Sequence, residues 1–278
     1  MPLGASRKGD AHSDQQPRTP TLQVPVINFS LGKGDWIVDG VKKYGGKTIA
    51  TVVSSKHAQS AESIGADALL VTGHEAAAHG GDVTSMVLIP ALAGRVKIPI
   101  IAAGGVASGS GLMAALSLGA EGVAMGTRFA ASAESPLAEQ TKDAIARALE
   151  DETIYSNKFD GMHARVLRTP ASLKATRKHM NPVLAAVKSF QSAKLIGMPM
   201  WQVLPGLLTQ WTKMYQLALF GGAMDKILAA NRGDLEYGVQ FVGQSMGLFD
   251  QVESVDAIVH AMLTEVCVCV CVCVYIHA

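Results

Sequence analysis

Cysteine is absent from the first 266 residues; the four in the chain, Cys267, Cys269, Cys271 and Cys273, stand together at its end. No disulfide framework therefore holds the body, and no thiol carries its chemistry. Charge of one sign is also missing: 24 basic against 23 acidic residues leave a formal charge of +1. Without a basic stripe, binding to nucleic acid or to an anionic membrane surface is excluded. No apolar run reaches the ~18 residues that a membrane span needs. The opening MPLGASRKGDAHSDQQPRTP has no apolar core of a secretory signal. Nothing resembles a Cys/His metal set or a serine-type triad. These absences lead to the expectation of a soluble, cytoplasmic protein with no metal.

What is present is core-forming: 49% hydrophobic and 17% charged residues, with 28 glycines, a composition suited to an α/β protein with many tight turns. Residues 1–20 are polar and predicted to be disordered. Order begins at Val24–Phe29, a short β-rich run. A helix follows over Trp36–Tyr44, a strand over Lys47–Val53, a helix over His57–Ile64 and a strand over Ala66–Thr72. The loop GHEAAAHGG (73–81), a helix over Met86–Ala93 and a strand from Ile98 come next. Short links between alternating strands and helices predict a parallel sheet with helices outside, over about residues 21–150.

The stretch IPIIAAGGVASGSGLMAALSLGAEGVAMGTRF (98–129) is the centre of that pattern. A strand ends at Gly104-Gly105, and a helix follows with Ser108 or Ser110 as cap, Leu112, Met113 and Leu116 on one face, and Gly119 as stop. A second strand, Gly122–Gly126, ends in the turn Gly126-Thr127-Arg128. Two glycine-containing turns one βαβ unit apart, with a helix N-terminus beside them, favour an anion, and a phosphate above all. Arg128 either braces that turn or stands in solvent.

Beyond Phe129 the grammar changes. A helix over Ser135–Glu150, an irregular Phe159–Pro170, and helical pattern over Ala171–Ala230 with breaks near Gly197–Pro199 and Gly221-Gly222 are predicted. Gly233-Asp234 open a turn before a helix, 242–249 form a small-residue loop, and Val255–Glu265 a final helix. Residues 151–265 thus read as a C-terminal helical subdomain. The Val-Cys alternation within 266–278 predicts a strand with its thiols on one face, a low-complexity tail without function.

Two histidines sit in the loop after the third strand. Imidazole suits proton transfer near neutral pH. His79, among small residues, either faces an open cavity or is a water-exposed loop group; His74 could equally be a solvated edge group. Glu75 between them reads as a carboxylate that orders the loop through backbone N–H groups.

The segments GHEAAAHGG, IPIIAAGGVASGSGLMAALSLGAEGVAMGTRFAASAES (98–135) and VGQSMGLF (242–249) together resemble the nitronate monooxygenase (2-nitropropane dioxygenase) family, and also its relatives the flavin-dependent enoyl-acyl-carrier-protein reductases. The resemblance covers roughly Val24–Glu265. It implies a TIM-type (β/α) barrel whose FMN phosphate is held at Gly104, Gly105, Gly126 and Thr127, with Thr72 and Gly73 also at the cofactor. His79 matches the family's catalytic histidine. The implied activity is oxidation of an alkyl nitronate or nitroalkane by O2 to a carbonyl compound and nitrite. Reduction of an enoyl thioester with NAD(P)H, or an inactive fragment, are the alternatives. Three departures stand out. Ala77 and Ala78 replace two family glycines, and an alanine is strained where φ must be positive. Thr72 stands where the family often has a glutamine. Val24–Phe29 looks like the family's fourth strand, so about five of eight barrel strands are expected, without the first strand and the loop that covers one side of the flavin. An incomplete barrel exposes sheet edges, which favours self-association into a homo-oligomer.

Overall fold

The computed structural model describes residues 23–32, 34–177, 181, 186, 187, 189 and 211–276. The expected disorder over 1–20 and the expected break near Gly197–Pro199 lie outside the described residues. The first half alternates as the pattern requires. Its elements are β1 (Val26–Phe29), α1 (Asp35–Lys42), β2 (Lys47–Val52), α2 (Ser55–Ser63), β3 (Ala68–Thr72) and α3 (Ser85–Ala93). β4 (Ile100–Ala103), α4 (Gly109–Ser117) and β5 (Gly122–Ala124) complete it. All neighbouring strands pair in parallel, in the order β1-β2-β3-β4-β5. Among the described residues this sheet stays open, with β1 and β5 at its edges.

The period of two along the strands explains where the core lies. Ala50, Val52, Leu69, Val71, Ile100 and Ala102 are buried and pack on Ala58 and Ala61 of α2, Leu88, Ile89 and Leu92 of α3, and Ala115 of α4. The opposite face of the sheet, with Thr51, Leu70, Thr72, Ile101 and Ala103, is only partly covered. Helices thus seal one face and leave the other open. On α4 the expected apolar face differs: Gly109 and Ala115 are the buried residues, while Leu116 is 39% exposed.

The second half contains short α5 (Thr127–Ala130), α6 (Glu139–Ala146), α7 (Pro170–Arg177), α8 (Trp211–Asn231) and α9 (Val255–Ile276). Between α6 and α7 stands an antiparallel hairpin, β6 (Thr153–Ser156) with β7 (Ala164–Leu167); β7 falls where the sequence reads as irregular. β7 is buried at every position, so its side chains carry no alternation to betray a strand. α6 is shorter than the expected Ser135–Glu150, and α8 runs through Gly221-Gly222 without a break. The turn at Gly233 leads to further turns and not to a helix. A 3-10 turn over Gln244–Leu248 forms the predicted small-residue loop.

The largest correction concerns the Val-Cys run. α9 continues through it to Ile276, where a strand was expected. A lone strand there would leave both rows of backbone groups unpaired. A helix already nucleated over Val255–Glu265 instead gains one hydrogen bond for each residue added, and no glycine or proline follows to stop it. Among the described residues no helix is long and apolar enough to cross a membrane.

Candidate functional site

Thr72 pairs with Ala103 and Ala103 with Ala124, so the segments following β3, β4 and β5 leave from one rim of the sheet. The two glycine turns are therefore one strand apart. Gly104 and Gly105 have φ of +91° and +80°, a left-handed backbone that only glycine adopts without cost. A Cβ at Gly104 would also stand 2.9 Å from the Ala76 Cβ. Gly126 differs, because its φ is −84° and a Cβ there would meet nothing within 4 Å. Among the described residues, no hydrogen bond uses the amides of Gly104, Gly105, Gly126 or Thr127.

The N-terminus of α4 contributes differently from expectation. Glu265 of α9 accepts hydrogen bonds from Gly109 N (2.8 Å) and Ser110 N (3.2 Å). Ser108 Oγ, the cap, accepts from Gly111 N (3.2 Å). The anion at this helix end is the protein's own carboxylate. The Thr127 hydroxyl oxygen accepts from Gly243 N at 2.9 Å, which leaves its own O–H and the Thr127 amide as the donors for a ligand. Arg128 is buried and does not stand in solvent. It pairs with Glu253, donates to the Gln251 carbonyl (3.1 Å) and lies 4.4 Å over the Phe249 ring. It thereby ties the segment after 242–249 to α5.

The loop 73–81 is fixed at several points. The Glu75 carboxylate accepts from Ser85 N at 3.0 and 3.1 Å and from Ser85 Oγ at 3.1 Å, the ordering role read from sequence. Its carbonyl accepts from Gln244 N at 2.9 Å, which docks the 242–249 segment beneath the loop. His74 Nδ1 donates to the Gly81 carbonyl (2.8 Å) and its ring packs edge-on to Tyr155, so His74 closes the loop on itself. Ala78 has φ of +53°, the strain anticipated for an alanine in place of glycine. It persists because Ala78 and Arg165 of β7 bond to each other through the backbone. The Arg165 side chain is buried and donates to the His74 carbonyl through Nε (3.3 Å) and Nη2 (3.0 Å), and to Thr153 Oγ1 (2.8 Å). Burial pushes this guanidinium below its usual range, while Tyr155 and Glu75 pull it back up.

His79 stands two residues before the loop's end. Its side chain is 27% exposed and lines a cavity of about 840 Å³ together with Phe29, Thr51, Thr72, Ala77 and Ala78. The ring also meets a group that sequence reading missed. Asp160, 5% exposed, places Oδ2 2.6 Å from His79 Nε2, and its Oδ1 accepts from Met162 N at 3.1 Å. Asp160 lies 81 residues away in sequence, in the turn between β6 and β7. The Asp160-Gly161 dipeptide was the available signal, since Asp-Gly between two short β runs marks a hairpin. The structure thus brings together His79, Thr72 and Gly73 on one strand end and the glycine turns on the next two. Each comes from a loop at the carboxyl end of a parallel strand.

A parallel α/β sheet with its polar groups at the carboxyl rim of its strands is the class of a barrel-type α/β enzyme scaffold. Residues 9–265 match the family model described as nitronate monooxygenase. The chain belongs to the nitronate monooxygenase family. It is 33% identical, over 95% of its length and 77% of the relative's, to (3aS,4S,5R,7aS)-5-hydroxy-7a-methyl-1-oxo-octahydro-1H-indene-4-carboxyl-CoA dehydrogenase of Rhodococcus jostii. A probable nitronate monooxygenase of Staphylococcus aureus is 38% identical over 51% of this chain and 43% of that protein. FabK from Thermotoga maritima superposes with a TM-score of 0.71 at 35% identity, over 90% of this chain and 70% of that one. The expected family, the α/β fold and an oxidoreductase enzyme follow from these.

Proposed function

We propose that this chain binds FMN and oxidises alkyl nitronates or nitroalkanes with O2 to carbonyl compounds and nitrite. The residues present fit the cofactor. The amides of Gly104, Gly105, Gly126 and Thr127, without partners among the described residues, would hold its phosphate, the open space at Gly126 leaves room for the anion, and Thr72 and Gly73 would border the ring. Bound there, FMN would supply the redox chemistry between the substrate and O2. The protein's share is position and protons. His79 takes the α-proton of a nitroalkane, or donates a hydrogen bond to a nitronate oxygen once protonated. The open, partly apolar cavity admits a small substrate beside it.

The observation that carries this reading is His79 itself: a loop imidazole at the cavity wall, backed by a buried carboxylate, on the same rim as the unpaired amides. The test is direct. Purified protein should show a flavin absorption band, and propyl-2-nitronate should drive O2 consumption with release of nitrite. His79→Ala should keep the band and lower turnover of 2-nitropropane by about 100-fold or more. Protein that binds no FMN when saturated with it overturns the reading.

A second reading has its own support. The Rhodococcus relative, similar over nearly the whole chain, is named for an acyl-CoA substrate. An acyl thioester also presents an acidic C–H, so His79 would serve it in the same place. NAD(P)H oxidation driven by a 2-enoyl thioester, without nitronate turnover, selects this reading.

A further inference from the structure

We infer that Asp160 is a positioning residue that makes Nδ1, and not Nε2, the basic nitrogen of His79. The inference deepens the reading above, which gives His79 the proton. A carboxylate has lone pairs and no proton to give, so its 2.6 Å contact with Nε2 requires the proton on Nε2. A neutral imidazole carries one ring proton, which leaves the lone pair on Nδ1. Among the described residues nothing hydrogen-bonds Nδ1, and the ring lines the cavity.

Asp160 is held for this purpose. It is 5% exposed, and Met162 N fixes Oδ1, so Oδ2 is the oxygen left for the ring. During the step, the proton leaves the substrate carbon for Nδ1, and the C–H electron pair stays on the substrate as the nitronate or enolate. The ring then becomes a cation facing a buried carboxylate, a charge-assisted contact stronger than the neutral one before it. The phenyl ring of Phe241, its centroid 6.4 Å from that of His79, supplies no competing acceptor.

The consequence for Asp160→Asn is specific. Met162 N–H still needs an oxygen, so the amide turns its NH2 toward His79. Nε2 must then accept, the ring proton moves to Nδ1, and the base is lost with the shape of the site preserved. A triad aspartate changed to asparagine acts in this way in serine proteases.

The experiment uses the full chain labelled with ¹⁵N. Two-bond ¹H–¹⁵N correlation spectra of the neutral His79 ring report which nitrogen bears the proton, independently of any turnover. Protonated Nε2 with bare Nδ1 is expected, and a majority of Nδ1–H overturns the inference. In Asp160→Asn the tautomer should invert and 2-nitropropane kcat should fall by about 100-fold or more with FMN retained. An unchanged tautomer overturns the inference. If the variant does not fold, the wild-type spectrum still decides. Bare Nδ1 in a protein without nitronate or thioester turnover upholds the inference and removes the functional reading. Turnover by a ring protonated on Nδ1 does the reverse.

Discussion

Ala78 and Arg165 exchange two backbone hydrogen bonds, Ala78 N to the Arg165 carbonyl at 3.2 Å and Arg165 N to the Ala78 carbonyl at 2.9 Å. This pair clamps the His79 loop to the β6–β7 hairpin, which also carries Asp160. The hairpin thus sets both partners of the imidazole contact, and it holds Ala78 at φ +53°.

Ala78→Gly should therefore stabilise the protein. Removing the Cβ from a residue held in the left-handed region relieves about 1–2 kcal/mol, against about 0.5–1 kcal/mol of added chain entropy for glycine. A net gain of about 0.5–1 kcal/mol is expected, read as a higher urea midpoint at unchanged slope. Ala77→Gly, at a position without positive φ, should lower the midpoint. Equal effects from the two would deny that Ala78 is strained.

Arg165→Met should destabilise by about 3 kcal/mol, because it leaves the His74 carbonyl and the Thr153 hydroxyl without their donor, at about 1–3 kcal/mol each. Arg165→Lys should recover only part of this, since one ammonium on a flexible stem cannot span the two acceptors as a planar guanidinium does. Both variants should also lower kcat for 2-nitropropane through misplacement of His79. A lysine variant with wild-type urea midpoint and kcat would show that the fork geometry is irrelevant.

The sheet was legible because its signal is local. β2, β3 and β4 are apolar runs bounded by glycine and joined by short helices, and their order needs only the rule that parallel strands are linked by crossovers. The loop that carries His79 and Glu75 was legible for the same reason. Asp160 and Arg165 were not, because their roles depend on contacts that cross 81 and 91 residues of chain. β7 hid itself by being buried on both sides. The Val-Cys run misled because a period of two is only a strand signal when a neighbouring strand exists to pair with.

Asp67 links β2 to β3 at the end of the sheet opposite the site, and it should make stability depend on acid. Burial pushes its carboxyl up, but hydrogen bonds from Lys47 Nζ (2.8 Å), Thr48 N (2.8 Å) and Thr48 Oγ1 (3.2 Å), with the Lys47 charge, outweigh this and hold it below 3.8. A carboxyl lowered in the folded state contributes stability that is fully present above its ordinary value. That contribution is lost as pH falls through the lower folded value. Asp67→Asn should therefore unfold at lower urea than wild type at neutral pH, and the two midpoints should converge as pH falls below 3.8. Lys47 is 67% exposed, so added salt should shrink the gap in part. A gap that does not change with pH would trace the loss to packing.

Gly126→Ala separates cofactor binding from folding. At Gly104 an alanine would be strained by φ and would strike Ala76, so loss of FMN there could simply reflect a damaged loop. Gly126 has neither problem: its φ is −84° and a Cβ meets nothing within 4 Å. In the protein without FMN the substitution should leave the urea midpoint unchanged or raise it slightly, as alanine restricts the unfolded chain. With FMN the methyl group would stand where the phosphate approaches the Gly126 and Thr127 amides. The dissociation constant measured by flavin fluorescence quenching should then rise by about 10-fold or more, equivalent to about 1.4 kcal/mol. Riboflavin, which lacks the phosphate, should bind wild type and variant alike. A variant that holds FMN as tightly as wild type would move the phosphate away from the β5 turn, while equal weakening of riboflavin would place the methyl against the ring.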